Sequence, residues 1–205
     1  MRGRGMSAAG LMRVPEGAFR FVALDVETAC SDAASICQIG IACVRADGGI
    51  ESWVTLVDPQ VRFSSFNVQL HGIGPEQVLG APDFARAIAP LEPLLSRHLI
   101  IQHSSFDRRA IDGAYGVCGR AAPGWRWGDS VRIARRAWPE FIGNGGHGLG
   151  HLKAQLDLRF EHHDAGEDAR AAAEVVLQAE RRTGLDFEAL LGPARAPVAR
   201  RVQRG

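Results

Sequence analysis

The sequence predicts an α/β protein in which helices pack on a mixed sheet of parallel and antiparallel strands. Two observations support this fold class. The first half of the chain contains three apolar runs joined closely enough to form a meander, and the second half places helical patterns around one further apolar strand. A meander followed by alternating strand and helix favours a mixed sheet covered by helices.

The strands are predicted from the apolar runs. The first begins at Phe19 and continues to Asp25, as expected for a strand that is buried on both faces. The second and third lie within residues 36–59 and are joined at Asp47-Gly48-Gly49, which is a hairpin signal. The short run 98–102 predicts a fourth, buried strand.

Helical spacing follows in five segments, which are residues 83–95, 105–117, 129–138, 147–156 and 165–182. Asp83 is a candidate N-cap of the first, although Pro90 and Pro93 disfavour its second half. We expect residues 17–183 to form a single domain. Residues 1–16 predict a flexible basic arm, and the Arg-, Pro- and Ala-rich residues 184–205 predict a partly disordered basic tail.

Composition suits one soluble domain of ordinary length. The chain has 205 residues, of which 46% are hydrophobic and 23% are charged. Its formal net charge of +1 excludes a uniformly basic surface but leaves local basic patches open. No apolar run approaches the roughly 20 residues of a membrane span, and the N-terminus lacks the apolar segment of a secretory signal. We therefore expect a cytoplasmic protein with free cysteine thiols and no membrane partner.

Two acidic residues stand at the end of the first predicted strand. Because side chains alternate along a strand, Asp25 and Glu27 point to one face while Val26 points to the other. Two carboxylates on one face repel each other unless they share a cation, and oxygen ligands suit Mg²⁺ or Mn²⁺. By itself, this pattern is also common at strand ends that have only a structural role.

Further acids and a histidine lie at two starts of predicted helices. Asp107 follows the fourth strand at the sheet edge where ligands gather in α/β proteins, although it also suits a helix N-terminus electrostatically. Asp164 is a candidate N-cap of the last helix, and Asp168 lies one turn into it. His163 precedes that cap and is a candidate base, with the neighbouring His162 as a rival.

Together these residues resemble the DEDDh 3′-to-5′ exonucleases, the superfamily that includes the proofreading epsilon subunit of bacterial DNA polymerase III. The resemblance covers roughly residues 19–182 and selects His163 over His162. The matching motifs are Asp25-x-Glu27-Thr28, Phe106-Asp107, His163-x-Ala165-x-x-Asp168-Ala169 and the segment His71-Gly72-Ile73. Ser104 departs from the pattern, because many members have Asn there.

The resemblance implies a ribonuclease H-like fold with a mixed sheet of five strands. It also implies hydrolysis of the terminal phosphodiester, with release of nucleoside 5′-monophosphates. His163 would act as the general base. Two divalent cations, Mg²⁺ or Mn²⁺, would be held by four carboxylates: Asp25, Glu27, Asp107 and Asp168.

The expected partner is nucleic acid with a free 3′ end, most simply single-stranded DNA, together with DNA replication or repair proteins. Thr28 and Ala29, through their backbone, and His71 are candidates to bind the strand end, and Phe106 is a candidate to stack on a base, although it could equally be a core aromatic. Two alternatives stay open: an RNA-trimming enzyme of the same fold, because nothing in the sequence reads a 2′-hydroxyl, and a catalytically silent nucleic-acid-binding module. The complete set of acids argues against the second.

A further segment alternates basic and aromatic residues. Trp125, Arg126 and Trp127 precede three arginines on one predicted helical face, Arg132, Arg135 and Arg136, and then Trp138. This arrangement could follow a phosphate backbone, or it could be a solvated helix face with a core tryptophan.

Overall fold

The computed structural model describes residues 13–159 and 163–192. Most of the predicted N-terminal arm, most of the predicted C-terminal tail and the rival histidine His162 lie outside these described residues.

The architecture is a mixed five-stranded sheet with helices on both faces, which confirms the predicted fold class. The strands are β1 (Phe21–Thr28), β2 (Ile36–Val44), β3 (Ile50–Leu56), β4 (Leu99–Gln102) and β5 (Arg126–Asp129). Their order across the sheet is β3-β2-β1-β4-β5. The first three strands form the predicted antiparallel meander, whereas β4 runs parallel to both β1 and β5.

The helices connect and cover these strands. They are α1 (Ser65–His71), α2 (Phe84–Ile88), α3 (Glu92–Leu95), α4 (Phe106–Val117), α5 (Ser130–Ala137), α6 (Leu149–Gln155), α7 (Ala165–Thr183) and α8 (Phe187–Leu191), with a 3₁₀ turn at Pro139–Phe141. None of the helices within residues 13–159 and 163–192 is long and apolar enough to cross a membrane. All four cysteines are free thiols, as predicted.

Strand β1 supplies core residues to both faces of the sheet. Phe21 and Ala23 belong to a core with α5 and α7, whereas Val22 and Leu24 belong to a second core with α2 and α4. The two cores explain why the β1 sequence is apolar without alternation up to Leu24. They also fix the direction of the residues that follow, because odd-numbered side chains face α7.

The structure differs from the sequence prediction at three elements. The helix expected over 83–95 is two short helices separated near Pro90, because proline cannot donate the backbone hydrogen bond of a helix interior. No apolar pattern predicts strand β5, because its residues Arg126–Asp129 are of mixed polarity. They form a strand by pairing with β4. No helix is predicted over α1, because it buries no residue that would give an amphipathic signal.

Ordered structure continues past residue 183 into the first part of the segment predicted as a tail. Asp186 caps α8 by accepting a hydrogen bond from the Ala189 N–H. Phe187 and Leu190 are buried, and the Phe187 ring lies 5.0 Å from the Phe21 ring between centroids. A helix of only five residues is stabilised by this apolar contact rather than by its own propensity.

Candidate active site

Asp25 and Glu27 project from the carboxyl end of β1 on the face that carries α7. This follows from the alternation that sends Phe21 and Ala23 to the same side. Glu27 is buried, and Asp25 is mostly buried. The predicted pair of carboxylates on one face is therefore present.

The N-terminus of α7 brings Asp168 and His163 to this pair. Asp164 caps the helix by accepting hydrogen bonds from the N–H groups of Gly166 and Glu167. Asp168 is buried one turn into the helix, and its Oδ2 accepts a hydrogen bond of 3.0 Å from the His163 N–H. His163 has a φ of 73°, a conformation that is uncommon for residues other than glycine and that is found frequently at functional sites.

Three of these side chains are close enough to share one ion. Glu27, His163 and Asp168 each offer a ligand atom, and these atoms lie within 4.8 Å of one another. Carboxylate oxygens with one imidazole nitrogen are ligands that divalent metal ions accept. Two of the four expected carboxylate ligands, Glu27 and Asp168, therefore lie close enough to share a cation, and His163, the expected base, lies within reach of the same point.

Asp107 reaches the site from the first turn of α4. Strand β1 pairs with β4 at Val22 and Ala23, and β4 ends at Gln102. Beyond that pairing, the buried Asp107 carboxylate accepts a hydrogen bond of 3.2 Å from the N–H of Val26. Asp107 is thus held directly against the segment of β1 that carries the other two acids.

Burial and the negative charges of neighbouring acids raise the pKa values of these carboxylates. Burial raises the pKa of Asp25 well above its usual range, with further increases from the negative charges of Asp107, Asp168 and Glu27. The pKa of Glu27 is raised to about 8, by burial first and then by Asp168 and Asp107. Burial is also the main cause that raises the pKa of Asp107 to about 7. Divalent cations would relieve this repulsion, because they favour the ionised carboxylates.

Sequence reasoning missed two residues of β2 that face this acidic cluster of Asp25, Glu27, Asp107 and Asp168. Gln38 is buried and hydrogen-bonds the start of α7, and Gly40 lies against the backbone of the same segment. Neither residue carries a charge or belongs to a motif that the sequence analysis used. Their buried position opposite β1 is visible only once the register is known.

The backbone groups of the two candidate strand-end residues of β1 and its following loop form hydrogen bonds within the protein. Ala29 is fully buried, and its N–H and C=O are both bonded, to Ser35 and Ser64. The Ala29 N–H is therefore already used within the protein, whereas its C=O can accept one more hydrogen bond. The Thr28 C=O accepts a hydrogen bond of 2.8 Å from Asn67 in α1.

His71 also bonds the end of β1. Its Nδ1 accepts the Ile73 N–H at 3.1 Å, so Nε2 carries the proton and donates to the Thr28 C=O at 3.1 Å. Burial lowers the pKa of His71, which favours this neutral ring. In this structure His71 joins α1 to the strand of the acidic cluster.

Phe106 and Ser104 flank Asp107. Phe106 is partly buried against the core, and the Arg109 guanidinium lies 5.8 Å from its ring centroid. Ser104 is exposed with a φ of 108°, a region that favours glycine or asparagine. Its hydroxyl accepts a hydrogen bond of 3.3 Å from the Phe106 N–H.

The arginines of α5 contact α8. Arg132 donates to the Leu191 C=O at 2.8 Å, and Arg136 donates to the Ala189 and Leu190 C=O groups at 2.9 and 2.8 Å. These guanidinium groups therefore cap the C-terminal carbonyls of α8. Trp138 is buried, as its interpretation as a core tryptophan predicts.

Comparison with known proteins identifies a family and relatives that are similar in sequence. The exonuclease family model matches residues 22–176. The PolC-type DNA polymerase III of Bacillus cereus is 25% identical over 162 residues, which cover 77% of this chain and 11% of the polymerase. The Bacillus subtilis enzyme is 26% identical over 163 residues, with the same coverage. The chain therefore spans about a tenth of the length of these relatives.

Solved structures share the fold. Exonuclease X in complex with 5′ overhanging duplex DNA is 21% identical with a TM-score of 0.66, covering 84% of this chain and 99% of that one. Exonuclease I is 18% identical with a TM-score of 0.72, covering 83% and 42%. The nuclease domain of 3′hExo, a DEDDh family member bound to rAMP, is 14% identical with a TM-score of 0.66, covering 82% and 94%. The ribonuclease H-like fold is confirmed, and the chain belongs to the exonuclease family whose model it matches.

Proposed function

We propose that this protein removes nucleotides from the 3′ end of DNA, one at a time, in a reaction that depends on divalent cations. The observation that supports this most directly is the meeting of Glu27, His163 and Asp168 within 4.8 Å, beside the buried Asp107. A pure binding module would gain nothing from buried carboxylates that repel the phosphates of its ligand. The cluster therefore favours catalysis over the silent alternative.

The chain's residues divide the chemistry between them. Asp25, Glu27, Asp107 and Asp168 would hold the cations, Mg²⁺ or Mn²⁺, through carboxylate oxygens. Two such ions supply an activated water and stabilise the negative charge on the leaving oxygen.

The histidine would complete the hydrolysis. A ring nitrogen of His163 accepts the proton of the attacking water. The water oxygen bonds to phosphorus as the bond from phosphorus to the 3′-oxygen breaks. The products are a nucleoside 5′-monophosphate and a strand that ends in a 3′-hydroxyl.

DNA is the first substrate to test, because the polymerases that the chain resembles and the DNA complex of Exonuclease X both concern DNA. RNA is the second, because the similar 3′hExo domain is described with bound rAMP. The likeness to PolC-type polymerases also supports replication proteins as partners.

The test uses purified protein with 5′-labelled single-stranded DNA, duplex DNA and RNA in Mg²⁺ or Mn²⁺, with EDTA as the control. We expect a ladder shortened from the 3′ end, with single-stranded DNA cleaved fastest. His163→Asn removes the base but keeps a residue that tolerates a φ of 73°. It should lower kcat by about 10²- to 10⁴-fold. Unchanged turnover would exclude His163 as the base, and no cleavage of any substrate would overturn the proposed function.

A further inference from the structure

Two residues of β2 lie directly opposite the acids of β1. The antiparallel register pairs Glu27 with Gln38 and Asp25 with Gly40. Residues opposite each other in an antiparallel pair project from the same face of the sheet. A bulge between Glu27 and Thr28 leaves Cys37 as the extra residue. Gln38 and Gly40 therefore face α7, as the acids do.

Gly40 provides the space in which α7 starts. A Cβ at this position would lie 2.1 Å from the backbone carbonyl carbon and oxygen of Ala165 and 2.3 Å from the Gly166 nitrogen. These are backbone atoms that cannot rotate away. The first turn of α7 therefore rests on the main chain of β2, and only glycine permits this approach.

Gln38 then fixes the helix at that position. Its Oε1 accepts a hydrogen bond of 2.9 Å from the Ala165 N–H, and its Nε2 donates one of 3.1 Å to Asp164 Oδ2. The Ala165 N–H can only donate, so the orientation of the amide is determined. Gln38 is 7% exposed, so water cannot easily replace either bond.

The same short segment carries the two functional side chains of α7. His163 immediately precedes Asp164, and the Asp168 N–H donates to the Asp164 C=O at 2.8 Å. Any shift of the helix start therefore moves His163 and Asp168 together relative to Glu27. We propose that Gln38 is a positioning residue that sets the distance between the α7 and β1 parts of the active site, an inference that rests on the proposed function.

The experiment reverses the polarity of one hydrogen bond. Gln38→Glu keeps an acceptor for the Ala165 N–H but places two carboxylates against each other at Asp164. Asp164→Asn alone places two amide donors against each other. The double variant restores a donor opposite an acceptor. The side-chain NH₂ introduced by Asp164→Asn takes the place of Oδ2 and donates to the carboxylate introduced by Gln38→Glu. It also restores the wild-type net charge, and the asparagine oxygen keeps the cap of α7.

Three measurements follow each variant: kcat and KM on single-stranded DNA, the Kd for Mn²⁺ alone by calorimetry, and the melting temperature. We expect each single variant to lower kcat and to weaken Mn²⁺ binding by about 10- to 100-fold, as is usual for residues that orient metal ligands. KM should change little. The double variant should return both values to within about threefold of wild type. This recovery is measurable because each single variant is expected to lose about 10- to 100-fold.

A matched control tests whether any loosening of α7 has the same effect. Gln178 lies towards the other end of α7, and its Nε2 donates a hydrogen bond of 3.3 Å to the Leu156 C=O. Gln178→Ala should leave kcat and Mn²⁺ affinity unchanged.

The outcomes separate the two proposals. If wild-type protein cleaves nucleic acid but the single variants keep kcat and Mn²⁺ affinity within twofold, the role of Gln38 is refuted. It is also refuted if the double variant shows no recovery. If wild-type protein cleaves nothing, the proposed function fails, and the Mn²⁺ titrations still decide the role of Gln38. If one single variant does not fold, the other tests the same mismatch from the opposite side.

Discussion

Glu27→Gln should stabilise the metal-free protein, and the gain should grow with pH. The Glu27 side chain is 9% exposed, and its pKa is raised from an ordinary 4.5 to about 8. A raised pKa means that the folded state favours the protonated acid. The contribution of Glu27 to stability is therefore complete below pH 4.5 and is lost progressively as the pH rises to 8. Glutamine is nearly isosteric with the protonated acid and stays neutral throughout.

The magnitude follows from the size of the pKa shift. One pKa unit corresponds to about 1.4 kcal/mol, so the ionisation penalty in the folded state reaches about 2 kcal/mol at pH 6 and about 4 kcal/mol at pH 8. The difference in the free energy of unfolding between Glu27→Gln and wild type should follow this curve. It should be close to zero at pH 4.5.

The assay is urea unfolding in EDTA at several pH values between 4.5 and 8. The exposed Glu76 offers a matched control, and Glu76→Gln should differ from wild type by less than about 0.5 kcal/mol at every pH. A difference between Glu27→Gln and wild type that does not depend on pH would refute the reasoning. The result would then mean that Glu27 is ionised at little cost without metal.

Three further predictions concern metal binding, the contact of Gly40 with the start of α7, and the contact of Arg136 with α8. Saturating Mn²⁺ should raise the melting temperature of wild-type protein more at pH 8 than at pH 5, because bound cations offset the repulsion that ionisation creates; calorimetry that showed equal shifts would contradict this. Gly40→Ala should destabilise the fold by about 1–3 kcal/mol through overpacking and should lower kcat, whereas wild-type unfolding and turnover would show that α7 can move away freely. Arg136→Ala should cost about 1 kcal/mol in urea unfolding through loss of its bonds to α8 carbonyls, with unchanged kcat; a loss of activity would connect α8 to the active site.

The elements that have a strong local pattern could be predicted from the sequence. The run before Asp25 is apolar because both faces of β1 are covered, and this is a signal that needs no knowledge of the partners. The start of α7 was predicted from Asp164, whose side chain forms the expected cap. Strand β5 was missed, because four residues of mixed polarity form a strand only by pairing with β4.

The candidate site divides in the same way. The acids and His163 could be predicted, because the chemistry of metal-dependent hydrolysis needs those residue types at characteristic spacings. The hydrogen bonds of the Ala29 backbone could not be, since they come from Ser35 and from Ser64 in a distant loop. The contact of Arg132 and Arg136 with α8 was equally hidden, because charge alone does not distinguish phosphate from the carbonyls at a helix end.

The sequence by itself therefore determined the class of chemistry: four carboxylates and one histidine at the ends of predicted strands and the starts of predicted helices. The tertiary structure alone decided how these groups meet. Register across β1 and β2 places Gln38 and Gly40 beneath α7, and these two uncharged residues set how closely Asp168 and His163 approach Glu27. The physical reason is that ligand chemistry belongs to single side chains, whereas the distances between ligands depend on backbone contacts between residues more than 100 positions apart in the chain.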